Sequence, residues 1–194
     1  NYAIGESHEP GSTFKLMALA VALEDQKIDT TSIVDTKDGV LSFYGNKVRD
    51  SKKGGYGKIS VAEAFEVSSN TGVVSAVYEA YKKNPSLFID GLYRMNLRDS
   101  LGLALVGEGK SIIPDPRIKN NRWSGIALQW MAYGYGVSFT PLQTLTFYNA
   151  IANDGKMVKP RFLKEVKAID QSIEVFETEV INAQICKPAT VKKL

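Results

Sequence analysis

The chain is poor in the residues that build metal centres, disulfides and membrane spans. Its 194 residues include a single cysteine, Cys186, and a single histidine, His8. One cysteine excludes an internal disulfide, although it leaves the redox compartment open, and a site built on several histidines is excluded too. No stretch approaches the roughly 20 apolar residues of a membrane-spanning helix. Internal repeats and low-complexity segments are also lacking, so repeat architectures and long disordered tails are excluded.

A large excess of charge of one sign is missing as well. Lysine and arginine total 24 and aspartate and glutamate total 21, which leaves a net charge of +3 at pH 7. So small a charge gives no argument for a nucleic-acid partner. With 44% hydrophobic and 23% charged residues, the composition is that of an ordinary globular domain with a substantial core. The chain starts and stops in mid-pattern, and we therefore expect a piece of a longer protein, truncated at both ends.

What is present is a serine–lysine pair at the start of an apolar run. Residues 9–15 read Glu-Pro-Gly-Ser-Thr-Phe-Lys, and the Pro-Gly breaker predicts a helix from about Ser12 to Glu24. The i, i+3 spacing puts Ser12 and Lys15 on one helical face. Lys15 is the only polar residue of an otherwise apolar run, and burial there would lower the pKa of its ammonium group. A lysine with a lowered pKa can serve as the base that activates a serine hydroxyl.

The rest of the chain predicts a mostly helical protein with a minor β component. Capping boxes at Ser60–Glu63 and Thr140–Gln143 each mark the start of a helix. The other predicted elements are helices over 72–82, 85–95, 123–133 and from 188 onward, a hairpin within 33–49, a long loop over 99–122, and paired strands over 157–169 and 172–177.

A second candidate site joins two of these helices. Residues 67–72 read Val-Ser-Ser-Asn-Thr-Gly, and serine and asparagine in a tight turn can act simply as helix caps. The segment also has the form Ser-x-Asn, and Ser68 follows Ser12 by 56 residues. Ser-x-x-Lys followed by Ser-x-Asn is the motif order of the penicillin-recognising serine acyltransferases.

With these motifs the chain resembles the class B penicillin-binding proteins. The similarity is carried by residues 9–15, 67–71, 133–143 and 153–160, and it covers nearly the whole chain. It is closest to the septal, FtsI-type transpeptidase, with the elongation-type enzyme second. The resemblance implies an α+β fold, the mostly helical part of a serine β-lactamase-like transpeptidase domain with an incomplete main sheet. Residues 1–194 would then be a partial transpeptidase domain.

The resemblance also implies a role for each site residue. Ser12 would attack the penultimate D-alanine carbonyl of a peptidoglycan stem peptide, with Lys15 accepting its proton and terminal D-alanine leaving. Ser68 would bond to Lys15 and relay a proton to the leaving amine. Asn70 would bind the substrate backbone and help to fix Lys15. A neighbouring stem-peptide amine would take the acyl group and form the cross-link, whereas a β-lactam would leave a slowly hydrolysed ester.

Partners and location follow from the same resemblance. Expected partners are peptidoglycan stem peptides, β-lactam antibiotics, and a septal glycosyltransferase with other divisome proteins, and no metal or organic cofactor is expected. The implied location is the inner membrane, with the catalytic domain periplasmic and the anchor absent from this chain. The family's third motif, Lys-Ser/Thr-Gly, does not occur here, so we expect the isolated fragment to acylate poorly or not at all.

Two other functions stay open at the level of sequence. A serine β-lactamase or D,D-carboxypeptidase needs a positioned water, usually held by a glutamate or a carboxylated lysine, and no such glutamate can be identified. A β-lactam sensor domain would acylate once and signal.

Some surface features also have two interpretations. The basic run of residues 47–58 is a solvated loop or a contact for an anionic wall polymer. Trp123, Trp130, Tyr133 and Tyr135 are core and cleft residues or an aromatic wall for substrate.

Overall fold

The computed structural model describes residues 1–119, 123–169 and 171–194. In this part of the chain helices dominate, and the strands form antiparallel pairs with no larger sheet. The predicted α+β class, mostly helical with a minor β component, is confirmed. No described helix has both the length and the apolarity needed to cross a bilayer.

The helices, in chain order, are α1 (Tyr2–Gly5), α2 (Phe14–Glu24), α3 (Val61–Glu66), α4 (Asn70–Tyr81), α5 (Pro85–Arg94), α6 (Ala127–Ala132), α7 (Pro141–Ala152) and α8 (Pro188–Val191). The strands are β1 (Ile33–Asp35), β2 (Val40–Phe43), β3 (Asn46–Arg49), β4 (Lys58–Ser60), β5 (Met157–Val158), β6 (Glu165–Ala168), β7 (Gln171–Val175) and β8 (Val180–Asn182). Strand β1 pairs with β4, β2 with β3, β5 with β8, and β6 with β7.

Helix α2 runs through the middle of the core. Ten of its eleven residues are buried, and it contacts α4, α5, α6 and α8. A helix that is apolar on every side is stable only when other elements surround it. The approach of α5 is close, since a Cβ on Gly91 would lie 2.2 Å from Cγ1 of Val21. Burial of a large apolar side chain contributes about 1.5–3 kcal/mol, so α2 is a major source of stability.

Serine and threonine side chains cap the N-termini of α3, α4 and α7. In both predicted capping boxes, Ser60 with Glu63 and Thr140 with Gln143, the two reciprocal hydrogen bonds are formed, and the prediction is confirmed. Helix α4 is capped by Ser69, whose hydroxyl accepts a bond of 2.9 Å from the amide three residues later. Each cap satisfies amides that the helix itself leaves unpaired.

The hairpin predicted within 33–49 is right only in its second half. Strands β2 and β3 form it around Tyr44 and Gly45, but β1 pairs with β4. The amide of Thr36, just after β1, donates to the carbonyl of Gly57. A contact across 21 positions therefore places β1 beside the loop of residues 52–57, which no local pattern indicates.

The strand pair predicted from 157 onward was wrong in its first half. Strands β6 and β7 do pair, but β5 ends before Pro160, which has no amide to donate, and β5 pairs with β8.

The helix predicted over 123–133 is shortened to α6, because a turn containing Gly125 occupies its expected start. Of the predicted loop over 99–122, residues 120–122 lie outside the described residues.

Candidate active site

Ser12 lies on an exposed 3-10 turn, Gly11–Thr13, directly before α2. The α-helix itself begins at Phe14, so the predicted start at Ser12 was two residues early. Gly11 has a φ of +56°, in the left-handed region that glycine adopts most easily. In the described part of the chain the Ser12 hydroxyl has no hydrogen-bond partner, so this oxygen is open to a substrate.

The glycine-rich segment 133–139 packs against that turn. The amide of Gly11 donates to the carbonyl of Gly134 over 3.0 Å. A Cβ on Gly134 would lie only 1.9 Å from the Gly11 carbonyl oxygen. Any side chain at position 134 would therefore push the two turns apart, and with them Ser12.

Two further contacts fasten the residues just before Ser12. The carboxylate of Glu9 accepts a hydrogen bond of 2.8 Å from the amide of Gly136. His8 and Phe139 exchange two backbone hydrogen bonds of 2.9 Å. The turn that carries Ser12 is thus held on one side by bonds to a distant part of the chain.

Lys15 is a buried cation in the first turn of α2. Its side chain is 1% exposed, and Nζ donates to the Ser68 carbonyl over 2.6 Å and to Ser68 Oγ over 2.9 Å. Burial lowers the pKa of Lys15 from 10.5 to about 8, and the negative charge of Asp50 opposes that change. About a tenth of the lysine is then neutral at pH 7, enough to supply a base.

Ser68 sits in the turn between α3 and α4 in an unusual conformation. Its φ is +53°, a region that non-glycine residues seldom occupy and that is often found at functional sites. The conformation directs both its carbonyl and its hydroxyl to Lys15 Nζ.

Asn70 follows on the first turn of α4. Its Nδ2 donates to the carbonyl of Arg49 over 2.7 Å. Among the described residues no hydrogen bond joins Asn70 to Lys15, so the expected help in fixing the lysine does not take the form of a direct contact. The structure therefore brings Lys15 and Ser68 together directly, with Ser12 and Asn70 on the adjoining turns, and the role of each stays a prediction.

Asp50 is a site residue that sequence reasoning missed. It directly follows β3 and accepts hydrogen bonds from the Ser69 hydroxyl and from the amide and hydroxyl of Thr71. These bonds span 19 and 21 positions. No local spacing could have indicated them.

The aromatic residues near the glycine-rich segment form a connected group. The Trp130 and Tyr133 ring centroids are 6.0 Å apart, and those of Tyr133 and Tyr135 are 4.9 Å apart. Tyr135 is 42% exposed, and the other two are partly buried against the core. Both interpretations, cleft wall and substrate wall, remain predictions.

The basic run is solvent-facing. Lys47, Arg49, Lys52, Lys53 and Lys58 are all exposed, and within the described residues none of them forms an ion pair with a carboxylate. No group of three or more His, Cys, Asp or Glu side chains in the described chain is placed to share a metal ion.

Comparison with known families decides the class of protein. Residues 1–194 match the penicillin-binding protein transpeptidase domain along their whole length. This chain belongs to that family. The predicted resemblance to the penicillin-binding transpeptidases is thereby confirmed.

Curated relatives of this transpeptidase domain include two bacterial proteins. The chain is 30% identical over 172 residues to the penicillin-binding protein PbpB of Mycobacterium tuberculosis, covering 89% of this chain and 24% of that protein. It is 27% identical over 185 residues to the peptidoglycan D,D-transpeptidase FtsI of Escherichia coli K12, covering 95% of this chain and 29% of that protein. The chain thus spans less than a third of the length of these relatives.

Solved transpeptidase domains share the fold. Penicillin-binding protein 3 of Mycobacterium tuberculosis, solved in complex with aztreonam, superposes with a TM-score of 0.77 at 26% identity, over 100% of this chain and 41% of that one. The transpeptidase domain of penicillin-binding protein 3 from Burkholderia pseudomallei gives 0.78 at 22% identity, over 100% and 53%. The second likeness, at that identity, concerns the fold alone.

Proposed function

We propose that the protein containing this chain is a peptidoglycan D,D-transpeptidase that cross-links stem peptides through a Ser12 acyl-enzyme. The observation that carries the proposal is the buried Lys15, bonded to Ser68 and one helical turn from an exposed serine. Membership of the transpeptidase family supports the reaction class. On this proposal the chain is a partial domain, and segments beyond it complete the site.

The chemistry follows from the placement of the groups. Neutral Lys15 takes the proton of Ser12 as Oγ bonds to the penultimate D-alanine carbonyl carbon. The protonated lysine then passes a proton through Ser68 to the nitrogen of the breaking amide, and terminal D-alanine leaves. An acceptor amine reverses these transfers, losing its proton as it displaces Ser12 from the ester. General acid–base catalysis of this kind contributes typically 10²–10⁴-fold.

Asn70 is proposed to bind the backbone of the donor stem peptide. Its Nδ2 already donates to Arg49, which fixes the orientation of the amide plane. The amide then offers a second N–H and an oxygen to a peptide backbone.

A septal role, with a glycosyltransferase and divisome proteins as partners, is proposed for the complete protein. The support is the FtsI name of several relatives. An inner-membrane location with a periplasmic catalytic domain is proposed on the same ground. Replacement of the chromosomal gene by a conditional copy tests the role: we expect filaments on depletion, and rounded cells would favour elongation instead.

The reaction is tested by intact-mass spectrometry of the full-length protein with a penicillin. We expect one adduct per chain on the tryptic peptide that contains Ser12, and no adduct in the variant Ser12→Ala. Thr13→Ser, which keeps a hydroxyl next door, is a matched control and should label normally. An adduct on another residue, or none on the wild type, would contradict the proposal.

The lifetime of the adduct separates the remaining alternatives. A transpeptidase should hold the penicilloyl ester for minutes or longer, and should join donor and acceptor stem peptides. Release within seconds would favour a β-lactamase. A stable adduct without any cross-linking of stem peptides would favour a sensor.

A further inference from the structure

Asp50, directly after β3, accepts several hydrogen bonds from the turn of residues 68–71. One carboxylate oxygen, Oδ1, accepts from the Thr71 amide at 2.9 Å, and the other, Oδ2, from the Thr71 hydroxyl at 2.6 Å. The Ser69 hydroxyl lies 3.1 Å from both oxygens. These donors come from the two residues on either side of Asn70. A carboxylate that accepts several such bonds holds its donors more firmly than neutral acceptors do.

The last residue of β3, Arg49, adds a further bond to the turn. The Arg49 carbonyl accepts from Asn70 Nδ2. Strand β3 is paired with β2, and its Val48 is buried at 1% exposure. The hydrogen bonds from the turn to Arg49 and Asp50 therefore connect it to the core. The turn that carries Ser68 and Asn70 is thus held by a strand outside both sequence motifs.

The charge of Asp50 also reaches Lys15. It acts against the desolvation of the ammonium group. The other ionisable groups around the start of α2 are differently engaged. Glu9 accepts from the Gly136 amide, and Tyr148 of α7 donates to the Thr13 carbonyl. Tyr133 faces Glu9. Asp50 is therefore the carboxylate coupled to Lys15.

We propose that Asp50 is a positioning residue for acylation, which holds the Ser68 turn in its left-handed conformation and balances the charge of Lys15. This inference rests on the proposed transpeptidase function. It assigns to β3 a part in the site that neither sequence motif contains. Asp50 acts through Ser68 and Lys15 and needs no contact with substrate.

The variants separate the two parts of the role. Asp50→Asn removes the charge and disturbs the two bonds that one of the carboxylate oxygens accepts from the turn. Thr71→Val removes the hydroxyl bond to Asp50 and keeps the charge. Asp38→Asn, at an exposed position of the loop before β2, makes the same change of net charge at a carboxylate that forms no hydrogen bond to the turn among the described residues.

The measurement is the second-order rate of penicillin acylation of the full-length protein as a function of pH. In the wild type we expect the rate to rise with pH through a limb near 8, where Lys15 becomes neutral. Asp50→Asn should lower the plateau roughly 10–100-fold, because small displacements of catalytic groups cost rate. It should also move the limb to lower pH, because removal of a nearby negative charge lowers the pKa of a lysine. Thr71→Val should lower the plateau without moving the limb, and Asp38→Asn should do neither.

Titration of lysine ¹³Cε resonances by NMR, assigned with Lys15→Arg, gives a readout independent of activity. A lower Lys15 pKa in Asp50→Asn supports the inference even if the wild type does not acylate, which would overturn only the proposed function. If neither the pH dependence of the acylation rate nor the titration of Lys15 shifts in Asp50→Asn, the charge role is overturned. If the maximal rate of acylation is unchanged, the positioning role is overturned. If Asp50→Asn does not fold, Asp50→Glu should lose rate with an unmoved limb, and a moved limb would then count against the inference.

Discussion

Burial of Lys15 destabilises the fold and lowers the pKa of its ammonium group. A buried ammonium group loses hydration, and two hydrogen bonds to Ser68 replace it only in part. The pKa near 8 expresses that loss. Proteins tolerate such a group where function requires it. In the proposed reaction, the same burial that destabilises the fold makes Lys15 available as a base at neutral pH.

We predict that Lys15→Met stabilises the protein at pH 7 by roughly 1–3 kcal/mol, since each pKa unit corresponds to about 1.4 kcal/mol and the lost Ser68 bonds offset part of the gain. The folded pKa of about 8 lies below the 10.5 of a free lysine, so the unfolded chain binds more protons between these values. Lys15 should therefore destabilise the fold less as the pH rises from 8 to 10.5, and the gain from the variant should shrink over that range. Urea unfolding at pH 7 and pH 10 measures both.

The matched control is Lys83→Met, at an exposed position after α4. It removes a lysine that keeps its hydration in the folded state, so stability should change little at either pH. A loss of stability in Lys15→Met at pH 7 would mean that the bonds to Ser68 outweigh the desolvation.

At the scale of elements, the predictable features are those set by neighbours a few positions apart. The capping boxes at Ser60 and Thr140 and the apolar run of α2 were foreseen, because caps and helical faces depend on i, i+3 and i+4 contacts. The pairing of β1 with β4 and of β5 with β8 was not. Those choices depend on contacts between segments 20 or more positions apart.

The glycine-rich segment shows how one element sets the position of another. We predict that Gly134→Ala lowers the acylation rate at least tenfold, because the new Cβ would displace the Gly11 carbonyl, 1.9 Å away. A loss of a few kcal/mol in unfolding free energy is also expected, since φ at this position is +90°. Acylation kinetics and thermal unfolding give the two values.

Gly107→Ala serves as the control for strain. Its φ is +90°, the same as that of Gly134, but a Cβ there meets no atom within 4 Å. It should therefore lose stability with little loss of rate. Equal loss of rate in both variants would show that backbone strain, and not the contact with Gly11, controls the position of the turn that carries Ser12.

At the scale of the whole molecule, burial is uneven. Helix α2 is enclosed, whereas every residue of β7 is exposed and Ile169 beside it is 96% exposed. An isolated two-stranded hairpin is at best marginally stable in water. Local stability should follow this difference.

We predict that amides of α2 exchange with deuterium slowest and those of the β6–β7 hairpin fastest among the regular elements. The β2–β3 hairpin is the internal control, since it has similar length but buries Leu41 and Val48 at 8% and 1% exposure. Hydrogen-exchange mass spectrometry of the protein resolves the two hairpins. Protection of β6–β7 equal to that of β2–β3 would contradict the prediction and would mean that another surface covers it.

The sequence by itself determined the capped starts of α3 and α7, the buried helix α2 and the residue types of the site. Each of these depends on short-range hydrogen bonding or on the periodicity of apolar side chains. Only the tertiary structure decided that Lys15 contacts Ser68, 53 positions away. The same is true of the contact of Gly134 with the turn that carries Ser12, and of the hydrogen bonds from the Ser68 turn to Asp50. Such contacts arise where the packing of α2 among the other helices brings distant turns to the same end of the core. Spacing along the chain carries no record of that packing.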